Sequence, residues 1–122
     1  MGGKYDLAIA GFKLFLERYP ESDLADDAQY YYADSFLMKK DYARARQEFD
    51  HVLSISREFR NAALLKRAYA LGGAKQVEDQ KHTLKTLIKE APGSPEAATA
   101  KEILEDLESP KKNPPRKKSN EP

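Results

Sequence analysis

Residues of a type that does chemistry are present in this chain, but their spacing works against it. Paired carboxylates stand at Asp26-Asp27 and at Glu102, Glu105 and Asp106. General acid–base catalysis needs such groups to converge on a substrate. On a helix, neighbouring positions diverge by about 100°. These acids therefore read as a solvated face or as partners of a helix N-terminal dipole. His51 and His82 have no third ligand at metal spacing, and zinc takes three or four. There is no cysteine, which excludes disulfides, thiolate metal sites and a cysteine nucleophile. Gly72-Gly73 lacks the lysine and the preceding strand of a phosphate loop. No Ser/His/Asp arrangement is suggested. The expectation is a protein that is not an enzyme, with no cofactor and no metal.

The bulk composition agrees with a soluble helical protein. Of 122 residues, 40% are hydrophobic and 34% charged, enough for one domain with a narrow core. The net charge of +1 sets up no global field toward nucleic acid. Its distribution is uneven. Residues 1–109 carry 16 Lys/Arg against 19 Asp/Glu, while residues 110–122 carry five basic residues against Glu121. No apolar run approaches the ~18 residues of a membrane span.

The elements that must position any functional group are helices. Apolar residues at three- and four-residue steps predict helices over about 4–19, 24–39, 41–54, 58–72, 75–91 and 95–108. Pro20 stops the first, and Ser22 or Asp23 is placed to cap the second. Gly72-Gly73 ends or loosens the fourth. Pro95 opens the sixth, in a favoured first-turn position. From Ser109 onward apolar residues vanish, so residues 109–122 read as a disordered basic Pro/Lys-rich tail behind a folded domain of residues 1–108. The tail lacks an aromatic residue to stack on bases, which weakens a nucleic-acid reading.

The helices repeat. Tyr42, Ala45, Phe49 and Leu53 copy Tyr5, Ala8, Phe12 and Leu16 at an interval of 37 residues. A weaker copy, Leu84, Leu87 and Ile88, follows Phe49, Val52 and Leu53 by 35. Such periods are those of helical-hairpin arrays. Ala33, Phe36, Ala45, Phe49 and Val52 stand where small and large residues interlock in a tetratricopeptide repeat. Ala68, Leu71, Leu84, Leu87 and Pro92 do the same for a second repeat. Ala8, Phe12, Phe15 and Pro20 match a second helix whose own first helix is missing. The chain thus resembles the tetratricopeptide repeat family. The resemblance implies an all-α, right-handed helical-hairpin solenoid of about 2.5 repeats with a C-terminal capping helix. Gln80 replaces the signature alanine, Arg57 the proline, and Arg67 a usually apolar residue, so the third repeat should pack less tightly.

Within that family, Phe12…Phe15-Leu16…Tyr19-Pro20…Ser22 and the run Ala25 to Asp34 are similar to the C-terminal repeat domain of the Tol–Pal-associated YbgF/CpoB proteins. Ala63-Leu64-Leu65-Lys66-Arg67-Ala68-Tyr69 and Ala91-Pro92-Gly93-Ser94-Pro95 extend the similarity. Tyr31 departs from it, standing where that family has tryptophan. The resemblance implies a non-catalytic scaffold in the periplasm, binding a peptide or helix of an envelope protein such as TolA, in Tol–Pal and cell-division coordination. Two rival readings are a BamD-like outer-membrane assembly module and electrostatic binding of nucleic acid or membrane through the tail.

By position in such arrays, Tyr30, Asp34, Leu37 and Met38 should line a concave groove with Leu65, Lys66 and Tyr69. Tyrosine and methionine suit such a surface, offering rigid amphipathic area and an adaptable thioether. Tyr32 should enter the core, and Tyr31 should pack between helices. Leu7, Gly11 and Leu14 point to where the absent helix would lie. The expectation is that the polypeptide continues upstream, or that this face serves self-association through the first helix.

Overall fold

The computed structural model describes residues 3–109. Beyond Ser109, the expected basic tail and its proposed contacts lie outside the described residues. Six helices follow one another: α1 (Gly3–Arg18), α2 (Ala25–Met38), α3 (Tyr42–Ile55), α4 (Arg60–Gly73), α5 (Val77–Glu90) and α6 (Pro95–Glu108). Among the described residues there is no strand. Each helix packs on the next in the chain, and α2 also touches α4, as α4 touches α6. This is an all-α helical-hairpin repeat solenoid.

Local chemistry sets the helix ends. Asp41 accepts a hydrogen bond from the Arg44 amide at 3.3 Å and caps α3. Ser94 does the same for α6 through the Ala97 amide at 3.0 Å, with Pro95 in the first turn. The expected Ser22 or Asp23 cap of α2 is corrected. Leu24 occupies the N-cap position, and the Ser22 hydroxyl instead accepts from the Leu24 amide at 3.0 Å, closing the turn. The turns from α2 to α3 and from α4 to α5 are copies. Lys40 (φ 70°) and Lys75 (φ 64°) are both left-handed. The next amide in each turn, of Asp41 or Gln76, reaches back to the carbonyl of Phe36 or Leu71.

The core is continuous along the stack. Tyr30, Ala33 and Phe36 of α2 meet Ala45, Phe49 and Val52 of α3 and Ala63 of α4. Leu64 and Ala68 of α4 meet Leu84 and Leu87 of α5 and Ala100 of α6. The alanines at these crossings are fully buried because they let helix axes approach. Burying a side chain such as Phe49 contributes roughly 1.5–3 kcal/mol.

As expected, α4 ends at the glycine pair, with Gly73 its last residue and Ala74 its C-cap. The expectation that Gln80 loosens the third repeat is overturned, since Gln80 is buried, as are Leu84 and Leu87. A Cβ on Gly72 would stand 2.5 Å from the Gln80 amide nitrogen, so the glycine supplies the room that alanine at position 80 would otherwise leave. Arg67 is likewise accommodated. Its guanidinium donates to Asp50 of α3 at 2.6 Å and to Thr83 of α5 at 2.5 Å, tying three helices together.

Candidate protein-binding groove

The face formed by α2 and α4 is organised by one ion pair. The Lys66 ammonium donates to Asp34 at 2.8 Å, both groups being half-buried. The same ammonium lies 5.8 Å from the centre of the Tyr30 ring. Burial is the largest influence on Lys66 and opposes its charge. The hydrogen bond and charge of Asp34, with a smaller contribution from Tyr30, outweigh it and hold the ammonium above its ordinary value. Burial pushes the Tyr30 phenol up, against the pull of Lys66.

Seven residues were expected to line the groove, and the structure sorts them into four kinds. Tyr30 is corrected. It is only 8% exposed, stacked on Phe59 at 4.8 Å and set edge-on to Phe49 at 5.9 Å. It forms the floor beneath the ion pair and offers no free ring to a ligand. Leu37 and Leu65 are half-buried, each packed against one of the two core clusters. Asp34 and Lys66 satisfy each other. Met38, 51% exposed, and Tyr69, 38% exposed, present apolar area to solvent.

Tyr31 also departs from expectation. It is half-exposed, because only α1 lies beside its ring on that side. The ring stacks on Phe12 at 6.3 Å and stands edge-on to Tyr30 at 5.2 Å. Together with Phe12, Phe15, Ala8, Gly11, Leu24 and Ala28 it lines an apolar cleft of about 440 Å³ between α1 and α2. Sequence reading missed this cleft. Of the three residues expected on a self-association face, Gly11 lines the cleft, while Leu7 and Leu14 are exposed and do not.

The acidic pairs and histidines do not gather into a site. Among the described residues, no three His, Cys, Asp or Glu side chains are placed to hold a metal ion. No helix of the described residues is long and apolar enough to cross a membrane. Asp26 and Asp27 sit in the first turn of α2, where the helix dipole favours negative charge.

Comparison with known families agrees with the architecture. The tetratricopeptide repeat family model matches residues 1–22 and 27–55. The first stretch covers α1, and the second spans the hairpin of α2 and α3. No curated protein matches the chain. Tetratricopeptide repeats generally mediate protein–protein interaction and are typically non-catalytic.

Proposed function

We propose that this repeat solenoid is a protein-binding scaffold of the bacterial cell envelope, receiving a partner segment along the α2–α4 face. The observation that carries the groove is the pairing of exposed Met38 and Tyr69 on two helices joined by the Asp34–Lys66 bridge. An exposed aromatic and an exposed thioether beside a fixed ion pair suit a peptide with an apolar anchor and a polar flank. The buried Tyr30–Phe59 stack beneath the bridge holds α2 against the start of α4, so little ordering cost falls on binding.

The periplasmic setting and the connection to the Tol–Pal machinery, with TolA as partner, are supported by the sequence run from Phe12 to Asp34 and by its continuations at Ala63–Tyr69 and Ala91–Pro95. In this reading the chain performs no reaction and holds other proteins in register.

The test is capture of partners from an envelope extract on immobilised protein. Wild type is compared with Met38→Ala/Tyr69→Ala, with Leu7→Ala as a control on a different surface. Loss of the captured partner in the double variant alone supports the groove. Equal recovery on all three proteins removes it. Purified TolA then tests the partner: no binding to the wild-type chain refutes that assignment while leaving the groove standing.

A further inference from the structure

Two clefts on the side of the stack are copies of one another. The first is lined by Leu16 of α1, Gln29 and Tyr32 of α2 and Glu48 of α3. The second is lined by Leu53 of α3, Leu64 and Arg67 of α4 and Thr83 of α5. Leu53 follows Leu16 by 37 residues, and the other three pairs are 35 apart, which are the repeat intervals of the chain. The second cleft already seats a guanidinium, because Arg67 donates to Asp50 and to Thr83. The first has Tyr32 at that position. In place of Thr83 and Leu64 it carries the carboxylate of Glu48 and the amide of Gln29.

Gln29 holds an acceptor open there. It is only 3% exposed, and its Nε2 donates to both the carbonyl and the carboxylate of Glu48, at 3.3 and 2.9 Å. Two acceptors on the nitrogen fix which way the amide is turned. Its Oε1 receives no hydrogen bond, yet among the described residues no buried side-chain oxygen or nitrogen is left without a partner. That oxygen is therefore reached by solvent, from the cleft that Gln29 lines. The cleft, of about 280 Å³, continues past Leu16, Gln29 and His51 into a neighbouring mouth of about 290 Å³ beside Asp26 and Ile55. Glu48 is satisfied by Gln29 and Arg44. Glu17 and Asp26 are in no ion pair among the described residues, and Lys13 is the cation opposite them.

We propose that the first cleft receives an arginine side chain of a partner protein. The fixed Gln29 carbonyl and the Glu17 carboxylate accept from the guanidinium, and the arginine stem lies along Leu16 and Ile55. Arginine suits the cleft better than lysine, because its planar fork meets two acceptors at once. Arg67 makes the same arrangement within the chain, one repeat further on. This surface shares no residue with the α2–α4 groove and is a second point of contact.

The experiment follows amide shifts of the full chain by NMR at about 0.15 M salt, where diffuse charge attraction is screened. Three blocked tripeptides are added in turn, acetyl-Gly-X-Gly-amide with X as arginine, lysine or leucine. The expected result is saturable shifts at Leu16, Gln29 and Glu48 with the arginine peptide, weaker binding of the lysine peptide and none of the leucine peptide. Gln29→Leu removes the acceptor and installs the residue found at the equivalent position 64. It should weaken the arginine peptide by about tenfold or more, the loss of a hydrogen bond to a charged group. Glu17→Gln, at an exposed position, tests the carboxylate without touching the core and should also weaken it. No shift with any peptide overturns the proposal. Equal binding of the leucine peptide, or unchanged binding in both variants, does so too. Shifts confined to Met38 and Tyr69 overturn it in favour of the groove. Movement of the cleft amides on deleting residues 110–122 from the free chain overturns the partner in favour of the chain's own tail.

Discussion

The ring of Tyr42, the first residue of α3, rests on the bare Cα of Gly73, the last residue of α4. A Cβ at position 73 would collide with three atoms of the ring. Two helices that follow one another in the chain thus close on a contact that only glycine admits. Gly73→Ala should destabilise the protein by about 1–3 kcal/mol through overpacking. That exceeds the roughly 1 kcal/mol that alanine gains over glycine in a helix interior. In the Tyr42→Ala background the same change should be neutral or stabilising. Urea midpoints for the four proteins of this cycle measure the coupling. Equal effects of Gly73→Ala in both backgrounds would show that the ring is not the obstacle.

Lys40 and Lys75 hold left-handed backbone at two equivalent turns. For a residue with a Cβ that conformation costs of order 1–2 kcal/mol, which glycine avoids. Glycine in turn loses more freedom on folding, so the net gain is smaller. Lys40→Gly and Lys75→Gly should each stabilise by about 0.5–1 kcal/mol, and because Tyr42 packs on Gly73 between the two turns the double variant reads any coupling between them. Thermal unfolding of the two single variants and the double variant checks this. A lower Tm for both singles would mean that the lysine side chains contribute contacts worth more than the strain.

The Tyr30–Lys66–Asp34 group predicts alkaline sensitivity. Tyr30 is held above 10.0 mainly by burial, and Lys66 above 10.5 by Asp34 against its own burial. In both cases the folded chain binds the proton more tightly than the unfolded one. The associated stability is therefore complete below pH 10 and is lost as pH rises through the raised folded values. Denaturant midpoints across the alkaline range should fall more steeply for wild type than for Tyr30→Phe/Lys66→Met. Parallel curves would remove the group from the pH response.

Ala45 is fully buried where α3 passes beneath its neighbours. Ala45→Leu inserts bulk at that crossing and should cost ~1–3 kcal/mol. Partner capture should weaken only in proportion to unfolding. Normal stability with selective loss of binding would give α3 a direct binding role.

How far the residues themselves reveal this depends on the distance over which each feature is decided. Ala45, Phe49 and Val52 are legible because helical spacing and a 37-residue interval mark one stripe twice, and such a stripe must be covered. Caps act within three residues, as at Asp41 and Ser94, yet the one cap expected from the sequence, at Ser22 or Asp23, proved to be a turn contact to the Leu24 amide. Tyr30 was not legible either. It lies beside Tyr31 and Tyr32, and whether it faces solvent or Phe59 depends on how α4 is set against α2. Gln80 shows the same limit. It looked like a defect beside the usual alanine, and the compensating Gly72 is on another helix.

What the sequence alone determined is the register: six helices, their small and large residues, and the period that stacks them. These follow from backbone periodicity and local hydrogen bonding. What only the tertiary structure decided is which surfaces remain uncovered. Met38 and Tyr69 stay exposed beside the Asp34–Lys66 bridge, and the α1–α2 cleft stays open. Burial is a property of neighbours brought together from distant positions, and the residue itself does not encode which neighbour arrives.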